Sequence, residues 1–248
     1  RASEETIAER VPPRMTVRRG AALETSHVLM LMDDPMHSVI EPLFQKHDEL
    51  DCLYDFPLMM GGGHLTGYAV TDPADITSIY DALHRLPARF AMVELENIHD
   101  DALRMEPIHR VLFGCDGDDL LDEIAAFAAA KGATLAAGPQ AQEIAVVYEG
   151  KEVTLSIEGS PYKLAAGTLQ AFLDGWLSAH PQARLDYIHG EDTVRTLVAG
   201  EGAVGFLLPT PERDRLFDTI RAEGALPRKT FSLGSANEKR YYMECRRL

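Results

Sequence analysis

The stretch EIAVVYEGKEVTLSI, residues 143–157, limits the fold of this chain more than any other stretch. Two runs rich in β-branched residues meet at Glu149-Gly150, and such runs around a glycine-containing pair indicate a β-hairpin. Any fold that the chain adopts must therefore contain two strands joined by a tight turn.

Helical segments alternate with further short strands. DDLLDEIAAFAAAKG is acidic at its start, periodic in apolar residues and ends at Gly132, which predicts a helix. Asp72-Pro73 and Thr210-Pro211 each resemble an N-cap followed by the first helical residue, so helices are expected from Asp72 to about Leu86 and over 211–223. Periodicity and turn residues predict additional helices at 163–181 and 191–199, and strands at 26–32, 50–60, 64–70, 89–97, 108–113, 184–188, 203–209 and 241–246.

This order of elements predicts an α+β fold with mixed sheets, helices packed on them and two sub-domains. A composition change near Gly114 divides the chain into a strand-rich part, residues 1–115, and a more regular part, residues 116–248.

The composition excludes several classes of protein. A formal net charge of -15 repels a polyphosphate backbone, which disfavours a general nucleic-acid binder. No apolar run approaches the length of a membrane helix, and the first residues are too charged for a secretory signal, so a cytoplasmic protein is expected. The 3 cysteines lie far apart and predict reduced thiols.

The end of the chain is basic although the whole is acidic. From Arg228 onward there are six basic residues and two acids. Arg228, Lys229 and Thr230 precede a glycine-containing loop, and Lys239 and Arg240 follow it, so a turn there would bring them together as a phosphate site. The alternatives are a solvated basic surface and an interface between subunits.

Two histidine-containing motifs are candidates for acid-base chemistry. Gly62 and Gly63 precede His64, so their backbone N–H groups could hold an anion beside an imidazole; the same residues would also make an ordinary hairpin loop. Glu106 and His109 are three residues apart, but Pro107 and a strand-like sequence place them on opposite faces, which disfavours a metal pair. His109 could instead act in acid-base chemistry with Arg110 holding an anion nearby, or be a histidine hydrogen-bonded in a loop.

A metal site is not assigned by the sequence. Asp33 and Asp34, or Glu106, could supply oxygen ligands to a hard cation such as Mg²⁺. The Asp33-Asp34-Pro35 stretch would equally well end a strand.

Long segments of the sequence resemble the bacterial family known as domain of unknown function 1015. They run nearly from end to end of the chain in the order RASEETIAERVPPR, SHVLMLMDDP, LYDFPLMMGGGHLTGY, PARFAMVELENIHDDALRMEPIHRVLF, DYIHG, GAVGFLLPTPERDRLF and LPRKTFSLGSANEKRYYMECRRL. Some relatives carry a partition-protein label, and the resemblance therefore implies a fold that also hosts nucleotide-using enzymes, among them kinases of free serine. It also implies two differences: family members begin before Arg1, and between Leu86 and Pro87 they carry a stretch similar to Gly-Asp-Gly-Asn-His-Ser, interpreted as a phosphate-binding loop.

The combined interpretation is an enzyme acting on a small phosphorylated metabolite or a nucleotide, by phosphoryl transfer or phosphate-ester hydrolysis. Arg228, Lys229, Lys239 and Arg240 would neutralise phosphate charge, His64 and His109 would transfer protons, and Mg²⁺ or a nucleotide would be a cofactor. Kinase and phosphatase are not distinguished, and a homo-oligomer is compatible with the sequence. The alternative is a non-catalytic regulatory protein that binds an anion or nucleic acid.

Overall fold

The computed structural model describes residues 2–24, 28–83, 92–234 and 246–247. Helices and both parallel and antiparallel strand pairs are present, which confirms the α+β prediction. The helices are α1 (Val11–Gly20), α2 (Glu41–Gln45), α3 (Pro73–Leu83), α4 (Gly117–Ala130), α5 (Ala165–Ala179), α6 (Glu191–Leu197) and α7 (Leu216–Glu223). Short 3-10 turns occur at Ala8–Arg10, His47–Glu49, Met59–Gly61 and Arg213–Arg215.

The strands of the described part of the chain are short. They are β1 (Leu23–Glu24), β2 (Val28–Met32), β3 (Asp51–Pro57), β4 (His64–Ala69), β5 (Val93–Asn97), β6 (Met105–Phe113), β7 (Thr134–Leu135), β8 (Gln142–Tyr148), β9 (Lys151–Glu158), β10 (Arg184–His189), β11 (Ala203–Leu207), β12 (Phe231–Leu233) and β13 (Arg246–Arg247).

The chain packs into two compact units. The sheet unit contains Arg1–Ile7 and Met105–Leu233, and the hairpin unit contains Ala8–Arg104 and Gly234–Leu248. The division at residues 115 and 116 drawn from the sequence differs from these limits, because β6 pairs with strands that follow it in the chain.

The sheet unit is built on a 7-stranded sheet in the order β10-β6-β11-β8-β9-β7, with β12 pairing with β6. The predicted hairpin is confirmed as β8 and β9, which are antiparallel with Tyr148 opposite Lys151. Glu149 and Gly150 both have positive φ, 47° and 73°, as the two central residues of a type I′ turn require.

Helices cover both faces of this sheet. On one face α4 and α5 bury a large apolar cluster that includes Leu112, Leu173 and Phe206. On the other face Val194 and Val198 of the α6 region pack against Val111 of β6. Complete burial of each such side chain stabilises the fold by about 1.5–3 kcal/mol, so β6 is held firmly from both sides.

The described residues of the hairpin unit form three two-stranded sheets. β2 and β5 are parallel, from Val28 opposite Val93 to Met32 opposite Asn97. β3 and β4 form the predicted hairpin around the glycine run, and β1 pairs with β13. The predicted start of α3 is confirmed, because the Asp72 carboxylate accepts the backbone N–H of Ala74 at 2.7 Å.

The predicted start of the last helix is wrong. Glu212 has an extended backbone with ψ 116°, so the chain does not enter a helix at Pro211 and α7 begins only at Leu216. The predicted strand at 241–246 lies outside the described residues except for Arg246, which pairs with Glu24, and the junction of Leu86 and Pro87 also lies outside them. Within the described ranges, none of the helices combines the length and apolar character that a bilayer-spanning segment needs.

Candidate functional site

Arg110 is the buried charge at the centre of the candidate site in the sheet unit. It lies on β6 with a side chain that is 0% exposed, and its guanidinium carbon is 5.1 Å from the ring centre of Tyr187. One guanidinium nitrogen donates to the Ile108 carbonyl and another donates to the Arg228 carbonyl at 3.1 Å. The Nε–H is buried and has no hydrogen-bond partner among the described residues. Burial lowers the pKa of Arg110 to about 10, so the side chain stays charged at neutral pH.

Arg228 is held by a carboxylate of α5. Its two terminal nitrogens donate to the two oxygens of Asp174, at 2.5 and 3.2 Å, in the bidentate geometry typical of guanidinium and carboxylate. Gln170 donates to the same carboxylate at 2.9 Å and fixes its orientation. The charge of Arg228 is therefore largely compensated within the protein.

The turn after Arg228 presents backbone donors to an anion. Lys229 has φ 59°, a left-handed conformation that is uncommon for residues other than glycine. The two N–H groups that follow, of Thr230 and Phe231, both donate to Oε1 of Glu4, at 2.7 and 3.1 Å. Successive N–H groups converging on one oxygen form an anion-binding nest, and we call residues 229–231 the nest.

The hydroxyl of Thr230 shapes this turn. It donates to the Pro227 carbonyl at 2.7 Å, and the residue is 1% exposed. Because the hydroxyl proton is committed to Pro227, Thr230 donates to the Glu4 carboxylate through its backbone N–H and not through its hydroxyl.

Glu4 approaches the nest from the other end of the chain. Its backbone is fixed on both sides of the side chain, because Leu226 donates to the Ser3 carbonyl and Glu5 donates to the Leu226 carbonyl, both at 2.8 Å. Burial raises the pKa of the Glu4 carboxyl, although the two N–H groups and the charges of Lys229 and Arg110 act in the opposite direction. The sequence contains no local signal for this contact, since it joins residues 226 positions apart.

His109 lies on β6 next to Arg110 and is 2% exposed. Its Nδ1 accepts the backbone N–H of Leu208 at 3.1 Å, and burial lowers the pKa of the imidazole. Glu106 lies opposite Ser232 in the pairing of β6 with β12. Because residues three apart in a strand point to opposite faces, Glu106 and His109 do not form a pair.

His64 lies in the hairpin unit at the start of β4. Its Nε2 contacts the Asp55 carboxylate, which also accepts the Thr66 hydroxyl at 2.8 Å, and these two hydrogen bonds lower the pKa of Asp55. The imidazole is 55% exposed. Gly62 and Gly63 belong to the preceding loop, which closes by a hydrogen bond from Leu58 to the Gly63 carbonyl.

The structure therefore brings together Arg228, Lys229 and Thr230 with Arg110, whereas His64, Gly62 and Gly63 belong to the other unit. Lys239 and Arg240 lie outside the described residues. Glu4 and Asp174 are the components of the site that sequence reasoning missed.

A second polar cluster lies where the parallel strands β2 and β5 end. The Asn97 amide, 3% exposed, donates to the Asp34 carbonyl at 2.9 Å and to the Glu41 carboxylate at 2.6 Å. His37 contacts the same Glu41 oxygen at 2.9 Å and has φ 51°. The Asp34 carboxylate accepts the N–H groups of Ser38 and Val39, so it stabilises a turn.

The described residues do not form a metal site. Asp33, which was considered for Mg²⁺, contacts Nε2 of His99 at 2.9 Å. In the described ranges, no group of three or more His, Cys, Asp or Glu side chains is arranged to hold a metal ion.

No curated protein matches this sequence. Three solved structures align over most of the chain. A conserved hypothetical protein from Pyrococcus furiosus has 13% identity and a TM-score of 0.44, with coverage of 84% of this chain and 88% of the other. A free serine kinase in complex with AMP has 15% identity and a TM-score of 0.44, with coverage of 87% and 91%. SbnI with C-terminal truncation from Staphylococcus aureus has 11% identity and a TM-score of 0.42, with coverage of 89% and 85%.

Likeness at these TM-scores does not establish a shared activity. The sequence itself is more informative, because one family matches residues 1–88 and 84–176, which is more than half of the chain. The chain belongs to the family described as Protein of unknown function (DUF1015).

Proposed function

We propose that the protein is an enzyme acting on a small phosphorylated metabolite or a nucleotide, by phosphoryl transfer or phosphate-ester hydrolysis, and that the nest holds the phosphate. One observation carries this proposal: the N–H groups of Thr230 and Phe231 already converge on an anionic oxygen, at 2.7 and 3.1 Å. The Glu4 carboxylate stands in that position for a phosphate oxygen.

The charges around the nest favour an anion. Arg110, Arg228 and Lys229 face the carboxylates of Asp174 and Glu4, so three cations meet two anions in a protein of net charge -15. Lys229 makes no ion pair or hydrogen bond within the described part of the chain, and it is the cation that a phosphate would meet directly. Arg110 and Arg228 are instead held by contacts within the protein. Arg110 donates to the Arg228 carbonyl, and Arg228 pairs with Asp174.

His64 remains a candidate from the sequence for proton transfer. An exposed imidazole oriented by a carboxylate, here Asp55, suits general acid-base catalysis. His109 is buried, and its Nδ1 is engaged with the Leu208 N–H, which suits a structural role better than a catalytic one. Glu106 remains a candidate from the sequence.

A nucleotide and Mg²⁺ belong to the kinase version of the proposal. Mg²⁺ commonly binds through one or two carboxylates together with substrate phosphates, so the ion would enter with a nucleotide. Kinase and phosphatase share the nest and differ in the acceptor of the phosphoryl group.

Lys229→Asn tests the site, because Asn tolerates the left-handed backbone that Lys229 adopts. Losing the charged donor should weaken binding of inorganic phosphate by about tenfold or more. Lys163→Asn, at an exposed lysine of the same unit, is the matched control and should bind as the unaltered protein does.

Turnover is measured in parallel on a panel of phosphate esters, and with ATP on a panel of small hydroxy acids. Phosphate binding without turnover in either panel would favour the alternative, a non-catalytic anion-binding regulator. If a folded protein shows neither binding nor turnover, the proposal is wrong.

A further inference from the structure

The occupant of the nest is part of the chain itself. We propose that Glu4 is a displaceable internal ligand, so that a phosphate monoester binds the nest only when residues 3–5, the strap, leave it. This inference rests on the proposed function and adds its regulation.

Occupation by Glu4 and by phosphate is mutually exclusive. Each N–H of Thr230 and Phe231 carries one proton, and both protons point to the same Glu4 oxygen at 2.7 and 3.1 Å. A phosphate oxygen that used these donors would need the same position. A bound phosphate and a seated Glu4 therefore cannot share the nest.

The strap is attached by few contacts. Its backbone makes one parallel bridge, between Glu4 and Leu226, with one hydrogen bond on either side. Leu226 is buried, whereas none of the described residues from Ala2 to Ile7 is. Segments held by a few hydrogen bonds and little apolar burial open readily without unfolding of the core.

The electrostatic balance also favours release. Burial raises the pKa of the Glu4 carboxyl. The two N–H groups, Lys229 and Arg110 lower this pKa by a smaller amount, so the ionised side chain is not held strongly. A phosphate monoester carries up to two negative charges and interacts more strongly with the same cations. Among the described residues the Nε–H of Arg110 has no hydrogen-bond partner, so this part of the cluster has a donor left over.

The test compares Glu4→Ala with Glu5→Ala in the full chain. Glu5 is exposed, and its side chain makes no hydrogen bond or ion pair with the described residues of the nest. Its removal changes the charge of the strap by the same amount and leaves Glu4 in place. Inorganic phosphate is titrated while the amide NMR signals of Thr230 and Phe231 are followed. We expect Glu4→Ala to bind phosphate about tenfold more tightly than the unaltered protein, and Glu5→Ala to bind with unchanged affinity.

A second measurement needs no substitution. The amides of Glu5 and Leu226 donate the two strap hydrogen bonds, so their hydrogen exchange in the unaltered protein should accelerate when phosphate is added.

The outcomes separate the two proposals. Equal phosphate affinity in all three proteins, with strap amides that stay protected, overturns displacement and leaves the phosphate site intact. If phosphate shifts neither nest amide even in a folded Glu4→Ala protein, the phosphate site itself is wrong.

Discussion

Gly205 of β11 should not tolerate a side chain. It lies opposite Val111 of β6, one residue from Arg110, beneath the helix that covers this face of the sheet. A Cβ added there would lie 2.4 Å from Val194 Cγ1 and 2.8 Å from Val147 Cγ2. Both distances are well inside van der Waals contact, so Gly205→Ala must displace the helix or the strand.

The loss of stability in Gly205→Ala depends on how far Val194 and Val147 can move. Val194 is 0% exposed and Val147 is 3% exposed, and β-branched side chains have few alternative rotamers. Overpacking of a well-filled core costs about 1–3 kcal/mol, and we expect Gly205→Ala to lie in the upper part of that range. Gly175 of α5 is the matched control, since a Cβ there meets nothing within 4 Å. Alanine in an exposed helix interior should stabilise by about 0.5–1 kcal/mol.

Trp176 makes this comparison specific to the sheet unit. Trp176, which lies on α5, is the single tryptophan of the chain and belongs to the apolar cluster that α4 and α5 bury. Its fluorescence therefore reports unfolding of that unit. Urea unfolding should give midpoints in the order Gly205→Ala, unaltered protein, Gly175→Ala, from lowest to highest. A Gly205→Ala protein as stable as the unaltered one would refute the described packing of α6 against β11 and β6.

Two further substitutions test the contacts that shape the site. Burial lowers the pKa of His109 below its ordinary value of 6.5, so the unfolded chain takes up a proton that the folded chain does not, and stability should be intact above pH 6.5 and fall as the pH drops below it. His109→Asn, whose Oδ1 keeps an acceptor for Leu208, should flatten urea midpoints between about pH 5 and 8. Thr230→Val leaves the Pro227 carbonyl without its buried donor, so it should cost about 1–3 kcal/mol in urea unfolding and weaken phosphate binding. Thr196→Val, which removes a similar 2.8 Å bond from an exposed helix of the same unit, should change stability by less than about 0.5 kcal/mol.

Local signals in the sequence predicted the local structure well. The hairpin of β8 and β9 was recognisable because its turn chemistry and its strand pattern are contained in about fifteen residues. Asp72 and Pro73 act on the first turn of their own helix in the same way. Thr210 and Pro211 carry the same signal but failed, because the extended backbone at Glu212 delays the helix.

The site depended on contacts that no local pattern encodes. The sequence predicted an anion site that includes residues 228–230, but it did not show that Asp174, 54 residues away, pairs with Arg228. Nor did it indicate that Lys229 would be left-handed, which aligns the two N–H groups that follow. The partner of those groups, Glu4, is the most distant residue of the site along the chain.

The internal pairing of Arg228 also determines how an anion would reach the nest. Because Asp174 offsets Arg228, only a small positive charge faces outward near Lys229, and the rest of the chain carries a large negative excess. A phosphorylated ligand is then repelled at long range and attracted only within about 10 Å, the screening length at 0.1 M ionic strength. Added salt should therefore speed the encounter while it shortens the lifetime of the complex, a kinetic pattern opposite to that of an electrostatically steered basic protein.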